Sequence, residues 1–276
     1  MKIETPDGFI LDAVFNEVPF SSKVVVFAHG MTVDKDDEGI FVRAESSLNK
    51  LGFSTLRFDF RAHGKSSGNS ITDFTISGEL LDLDTIISFL TKQGIKWIGL
   101  AGASFGGGIA ALYASKNPQT IRMLLLANPA IDFEKGFLNP TTRWAVKQFA
   151  NLLGRIKHKG FIEVASSKFK MGKKLFDEMK FYNPCEALSK YNGRLLIIHG
   201  DKDTKVSLRD VVECYERLTN PSRRLVIVKG SEHGFHKEPF ETQVVENIIN
   251  FFSTKLEPGT GIEPVTSTLQ KWRSTN

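Results

Sequence analysis

The stretch that decides the fold is Lys96 to Asn117, KWIGLAGASFGGGIAALYASKN. Its first half, Trp97 to Ala101, is a short apolar run bounded by glycine and reads as a buried strand. Its second half, Phe105 to Asn117, is Ala-rich and reads as a helix. Between them sits Gly102-Ala103-Ser104-Phe105-Gly106, a G-x-S-x-G sequence, and at a strand-to-helix turn that pattern is a nucleophile elbow. So tight a turn needs residues nearly free of side chain two before and two after the serine, which Gly102 and Gly106 supply. The pattern predicts Ser104 strained at the tip with its hydroxyl exposed. The backbone N–H of Phe105, at the helix N-terminus, then faces an oxyanion. The competing reading is an ordinary Gly-rich turn, or a phosphate cradle at Gly106-Gly107-Gly108. No G-x-x-x-x-G-K-[ST] is present, and G-x-G-x-x-G is not matched here. The elbow therefore asks the rest of the chain for a base, an acid and a second oxyanion donor.

Working towards the N-terminus, Lys23 to Ala28, KVVVFA, is a β-branched buried strand ending in His29-Gly30-Met31. That places the Met31 N–H at the carboxyl edge of the sheet, where a second donor is needed; the His29 ring reads as structural. Before it, Met1 to Thr5 and Phe9 to Asn16 flank Pro6-Asp7-Gly8, a hairpin signal. After it come an acidic loop, Thr32 to Gly39, and helical spacing over Phe41 to Leu51. A strand at Phe53 to Asp59 follows, then a turn-rich loop holding His63, and an amphipathic helix from Ile76 to Gln93. Asp36, Asp37 and Glu38 cluster in the acidic loop without the partners of a metal site. Beyond the elbow, Ile121 to Ala127 is another buried strand. Strand and helix alternate from Lys23 to Asn128, which argues an α/β fold with a parallel sheet and helices on both faces. Ligands bind beyond the carboxyl ends of such strands.

Ile131 to Lys190 breaks the alternation and reads as helical with no clear strand. From Glu134 to Lys180 there are 11 Lys+Arg against 4 Asp+Glu, an excess of 7 over a whole-chain net charge of +5. The segment reads as a basic helical cap. Its charge serves either as a solvated surface or as a lure for an anionic substrate or an anionic membrane surface. Phe133, Phe137, Phe149 and Phe161 either line an acyl site or pack the cap onto the core. Arg194 to His199 resumes the sheet and leads to Gly200-Asp201-Lys202-Asp203, where either carboxylate qualifies as the acid. A helix over Ser207 to Leu218, a last strand at Arg224 to Val228 and a closing helix over Thr242 to Phe252 follow. The loop after the last strand holds His233, with His236 as its competitor for the base.

Composition narrows the class. The chain has 276 residues, 41% hydrophobic and 24% charged, which fits one large α/β domain with an insertion. Its +5 net charge is too weak to imply nucleic acid. The start lacks the basic and apolar regions of a signal peptide, and no apolar run approaches a membrane span. The expected place is therefore cytoplasmic, with Cys185 and Cys214 as ordinary thiols. Boundaries are expected at 1–130 and 191–255 for the core and 131–190 for the cap. Residues 256–276 read as a flexible tail.

Ser104, then Asp, then His, with G-x-S-x-G at a strand-helix turn, resembles the α/β-hydrolase superfamily. More narrowly, the chain resembles the serine-hydrolase branch of monoacylglycerol lipases, feruloyl esterases and S33-type serine aminopeptidases. The matches are Ala28-His29-Gly30, Asp59-Phe60-Arg61-Ala62-His63-Gly64-Lys65-Ser66, Gly102 to Gly107, His199-Gly200-Asp201-Lys202-Asp203 and Gly230-Ser231-Glu232-His233-Gly234-Phe235. Two positions depart from the pattern: Ala62 stands where the family often has the first glycine of its loop, and Ala103 where it often has His. The resemblance implies an α/β-hydrolase fold with Ser104 as nucleophile, His233 as base and Asp203, three before Val206, as acid. It gives Met31 and Phe105 N–H groups the oxyanion hole. It also implies hydrolysis of carboxylic esters with small to medium acyl groups through an acyl-enzyme, with no metal or organic cofactor. An aminopeptidase-like activity and a non-catalytic binding module are the alternatives.

Overall fold

The protein is described as a computed structural model over residues 1–164 and 166–254. The tail expected at 256–276 lies outside the described residues. The N-terminal hairpin pairs β1 (Lys2–Glu4) with β2 (Ile10–Asn16) antiparallel. The chain then alternates through β3 (Lys23–Ala28), α1 (Gly39–Lys50), β4 (Ser54–Phe58), α2 (Ile76–Lys92), β5 (Trp97–Ala103), α3 (Ser104–Lys116) and β6 (Ile121–Ala127). It closes with β9 (Arg194–Gly200), α8 (Leu208–Arg217), β10 (Arg223–Val228) and α9 (Phe240–Ser253). The described residues form one eight-stranded sheet in the order β1-β2-β4-β3-β5-β6-β9-β10. Every pairing from β4 to β10 is parallel, while β2 meets β4 antiparallel.

Side-chain alternation along the strands builds a core on each face. Val24, Val26, Leu100 and Leu124 pack in one cluster with Leu83 and Ile87 of α2 and Ile109 of α3. Val25, Phe27, Ala101 and Leu125 pack in the other with Phe41 of α1 and Ile248 of α9. Because both faces are covered, the central strands read as continuous apolar runs. The carboxyl ends of β3, β5, β6 and β9 then stand side by side at one edge.

Between β6 and β9 lie a short π-helical turn (Glu134–Leu138), α4 (Arg143–Phe149), α5 (Leu152–Lys159), β7 (Phe161–Val164), β8 (Phe169–Gly172), α6 (Lys173–Glu178) and α7 (Pro184–Leu188). The expectation of no strand here is corrected, because β7 and β8 form a separate antiparallel hairpin. Its strands are only 4 residues each. They sit between lysine-rich stretches, so neither shows a period-2 pattern long enough to stand out. The hairpin docks by stacking Phe169 on the buried His63 ring, centroids 4.6 Å apart. Phe105, Phe133, Phe137, Phe149 and Phe176 make a chain of ring contacts from α3 into this segment. Phe133, Phe137 and Phe149 are buried and pack this segment onto the core, and Phe137 also lines the cavity beside Ser104.

The two cysteines differ from expectation as well. Cys185 and Cys214 form a disulfide with Cα atoms 5.7 Å apart, tying α7 to α8. Two lone cysteines 29 residues apart carry no pairing signal in sequence; the fold brings them together. No described helix is long and apolar enough to cross a membrane.

Candidate active site

Ser104 stands where β5 turns into α3, with a left-handed backbone at φ 51°. A non-glycine residue rarely holds that conformation, so the turn is strained and over-determined by its surroundings. The flanking glycines are what make it possible. A Cβ on Gly102 would lie 2.5 Å from the Gly106 carbonyl oxygen, and one on Gly106 would run into the His29 carbonyl. The tip therefore rests directly on the end of β3.

His233, in the loop after β10, hangs over this tip. Its Nε2 is 3.0 Å from Ser104 Oγ and its Nδ1 is 2.7 Å from Asp203 Oδ2. The other Asp203 oxygen, Oδ1, accepts from the backbone N–H groups of Lys205 at 2.8 Å and Val206 at 3.0 Å. Burial alone would raise the Asp203 carboxyl. The hydrogen bond and charge of His233 outweigh that, and the group sits below its ordinary value. With Asp203 accepting, Nδ1 carries the imidazole proton and Nε2 is left to accept the Ser104 hydroxyl hydrogen bond. Asp201 points elsewhere and accepts from Gly230 N–H at 2.6 Å. His63 is buried, with Nδ1 against the Arg61 carbonyl at 3.0 Å, away from this line. His236 lies near Ser104, lining the cavity shared with it, but His233 alone makes the contact.

Met31, expected as the second donor, lies in the loop after β3. His29 Nε2 accepts from Phe60 N–H at 3.0 Å, so Nδ1 must carry the ring proton and donate to the Gly30 carbonyl at 2.7 Å. Burial pushes His29 down to about 4, which keeps that neutral tautomer at physiological pH. The C=O of Gly30 and the N–H of Met31 share one peptide plane and point in opposite directions. The ring thus helps to aim Met31 N–H, which has no hydrogen-bond partner among the described residues. Phe105, one residue into α3, offers one of the N–H groups that a helix start leaves without an intrahelical partner.

Residues that sequence reading missed complete the frame. Lys35, 4% exposed, donates to Asp59 at 3.1 Å and pairs with Asp12 at 2.8 Å, pinning the acidic loop to the sheet. Glu38 accepts from Gly30 N–H at 2.9 Å. Neither lies in a recognisable motif; the only hint was a lone lysine in an acidic loop beside the strand end.

Two cavities meet at Ser104 and His233. The first, about 70 Å³, runs beneath the inserted segment and is walled by Ile131, Phe137, Trp144 and Val164. The second, about 90 Å³, lies towards α1 and includes Val33, Asp37, Glu38, Phe235 and His236. The charge expected of a basic lid is balanced in the first cavity. Lys135 pairs with Asp210 and Glu213, both at 3.2 Å, while Lys205 Nζ sits 5.9 Å from the centre of the Trp144 ring.

A family model described as serine aminopeptidase, S33, matches residues 21–183. The chain is similar to a monoacylglycerol lipase of Mycolicibacterium smegmatis, 21% identical over 252 residues, 84% of this chain and 89% of that protein. Among solved structures it is similar to Est1E from Butyrivibrio proteoclasticus with ferulic acid bound. There the TM-score is 0.74 at 23% identity, covering 92% of this chain and 100% of that one. It is also similar to the Pyrococcus furiosus esterase Pf2001, with TM-score 0.70 at 26% identity over 91% of this chain and 89% of that one.

Proposed function

The chain belongs to the serine aminopeptidase S33 family of α/β hydrolases, and from that premise we propose that it is a serine hydrolase cleaving carboxylic esters through an acyl-enzyme. The observation that carries this reading is the unbroken line from Ser104 Oγ through His233 to Asp203, at 3.0 and 2.7 Å, opening on a cavity of mixed polar and apolar lining. Ser104 attacks the ester carbonyl while His233 Nε2 takes its proton. Asp203 holds the imidazole tautomer and stabilises the cation that forms. Met31 and Phe105 N–H groups bind the oxyanion, each lowering the barrier by roughly 3–4 kcal/mol. His233 then protonates the leaving alcohol. Water, deprotonated by the same ring, attacks the acyl-enzyme and frees Ser104. The inserted segment 131–190 acts as a cap over the acyl chain.

Hydrolysis of p-nitrophenyl esters of graded acyl length, with Ser104→Ala as control, tests the reading. Activity lost in the variant supports it; equal turnover by both proteins removes it. A second reading, release of N-terminal residues, is favoured by the acidic side chain of Asp37 in the second cavity, where an α-ammonium group would meet it. Turnover of aminoacyl anilides in preference to esters would select it.

A further inference from the structure

We propose that Glu38 is a positioning residue for the oxyanion hole: its buried carboxyl holds the Gly30 N–H so that the next peptide aims Met31 N–H at the carbonyl oxygen attacked by Ser104. The inference rests on the serine-hydrolase reading and adds to it a residue outside every motif of the sequence.

Gly30 is gripped at both polar ends. Its N–H donates to Glu38 Oε1 at 2.9 Å and its C=O accepts from His29 Nδ1 at 2.7 Å. These two bonds define the peptide planes on either side of the Gly30 Cα, and the second plane carries Met31 N–H. Contact with the nucleophile is close. A Cβ built on Gly30 would stand 3.0 Å from Glu38 Oε1 and 3.1 Å from Ser104 Cβ. The carboxyl and the serine therefore meet over one glycine, and a shift of either Gly30 bond passes straight to the hole.

Glu38 also occupies a place that asks for a different side chain. It is the N-cap of α1, yet it makes no capping bond to that helix. An N-cap side chain ordinarily satisfies an amide of its own first turn. Here the carboxyl turns back to Gly30 instead and is only 9% exposed as a residue. Burying a carboxyl is costly unless it is well bonded, and the oxyanion loop is what it bonds.

Its surroundings suit the position. Burial raises the Glu38 pKa, while the Gly30 N–H and the fields of His233 and His236 act the other way and Asp37 adds to the rise. A full negative charge beside a developing oxyanion would oppose it, so the required function is that of an acceptor rather than of an anion. An amide can supply the same acceptor.

The test uses the full chain and two readouts: the rate at which a fluorophosphonate labels Ser104, and kcat and KM on a p-nitrophenyl ester. Glu38→Leu slows labelling and lowers kcat by about 10- to 100-fold, with KM within about twofold. Glu38→Gln recovers the rates to within about fivefold of the parent. Glu38→Asp keeps the carboxyl group but withdraws its oxygen from Gly30. It behaves like the Leu variant and supplies the answer should that one fail to fold. Full rates in the folded Leu or Asp variant overturn the proposal, as does a Gln variant as slow as Leu or an effect confined to KM. A parent protein that takes no fluorophosphonate label overturns this inference together with the serine-hydrolase reading. Labelling without ester turnover redirects the substrate but leaves the labelling comparison to decide the role of Glu38.

Discussion

Asp203 and His29 show two ways in which an imidazole's protonation is fixed, by a neighbouring carboxylate at His233 and by burial with backbone partners at His29. Replacing Asp203 by Asn leaves the shape of the line but removes the acceptor that holds His233 in its Nδ1–H form. We expect kcat on esters to fall by about 10⁴-fold, the size of this effect in a comparable triad; a loss below tenfold would mean another group orients the ring. His29 should remain neutral far below the usual imidazole range, since burial takes it down to about 4. The unfolded chain binds a proton on that ring near 6.5, the folded chain only near 4. The contribution of His29 to stability is therefore fully present above about 6.5 and is lost as the pH falls from there towards 4. Nitrogen-resolved NMR should show an unchanged Nδ1–H imidazole between pH 8 and 5. A midpoint near 6.5 would disprove the assignment. Legibility at this scale was mixed. Ser104 could be named from its strand-turn-helix setting, whereas Asp203 over Asp201 and His233 over His236 were named through the family resemblance. Glu38 and Lys35 could not, because what they do depends on contacts 8 and 24 residues away in sequence.

At the scale of elements, the elbow is the least tolerant feature. A methyl group on Gly106 meets the backbone carbonyl of His29, which belongs to a central strand end and has little room to yield. Gly106→Ala should destabilise the fold by at least about 1–3 kcal/mol, the usual range for forcing atoms into a packed site. Chemical denaturation measures it, and a variant as stable as the parent would show that β3 and α3 can separate. The α7–α8 disulfide is a second element-scale constraint. Alkylation of the denatured, unreduced chain should modify neither cysteine. Removing the pair should cost about 3.6 kcal/mol, as the loop-closure entropy gives for a separation of 29 residues. The strands and helices of the core were readable because both faces of the sheet are covered and each strand is a short apolar run between turn signals. The β7–β8 hairpin was not readable, since its placement is decided by Phe169 finding His63 and not by its own pattern.

For the molecule as a whole, the alternation of strand and helix specified the sheet, and the sheet specified where the chemistry lies. Cavity size was beyond sequence reading, because it depends on how the inserted segment rests on the core. The cavity of about 70 Å³ beside Ser104 is narrowed by Phe137, Trp144 and Val164. Short-chain p-nitrophenyl esters should therefore be turned over faster than long-chain ones. An optimum at long chains would require the inserted segment to move away from Ser104.

The bond between Cys185 and Cys214 has one more consequence. It closes a covalent ring, and Asp203 lies on that ring, between the two cysteines. A protease that cuts the backbone once between them produces two pieces that remain a single molecule until reduced. Such a nicked chain keeps its acid within tethered reach of His233. Fragment size on a non-reducing gel would then hide damage that a reducing gel reveals.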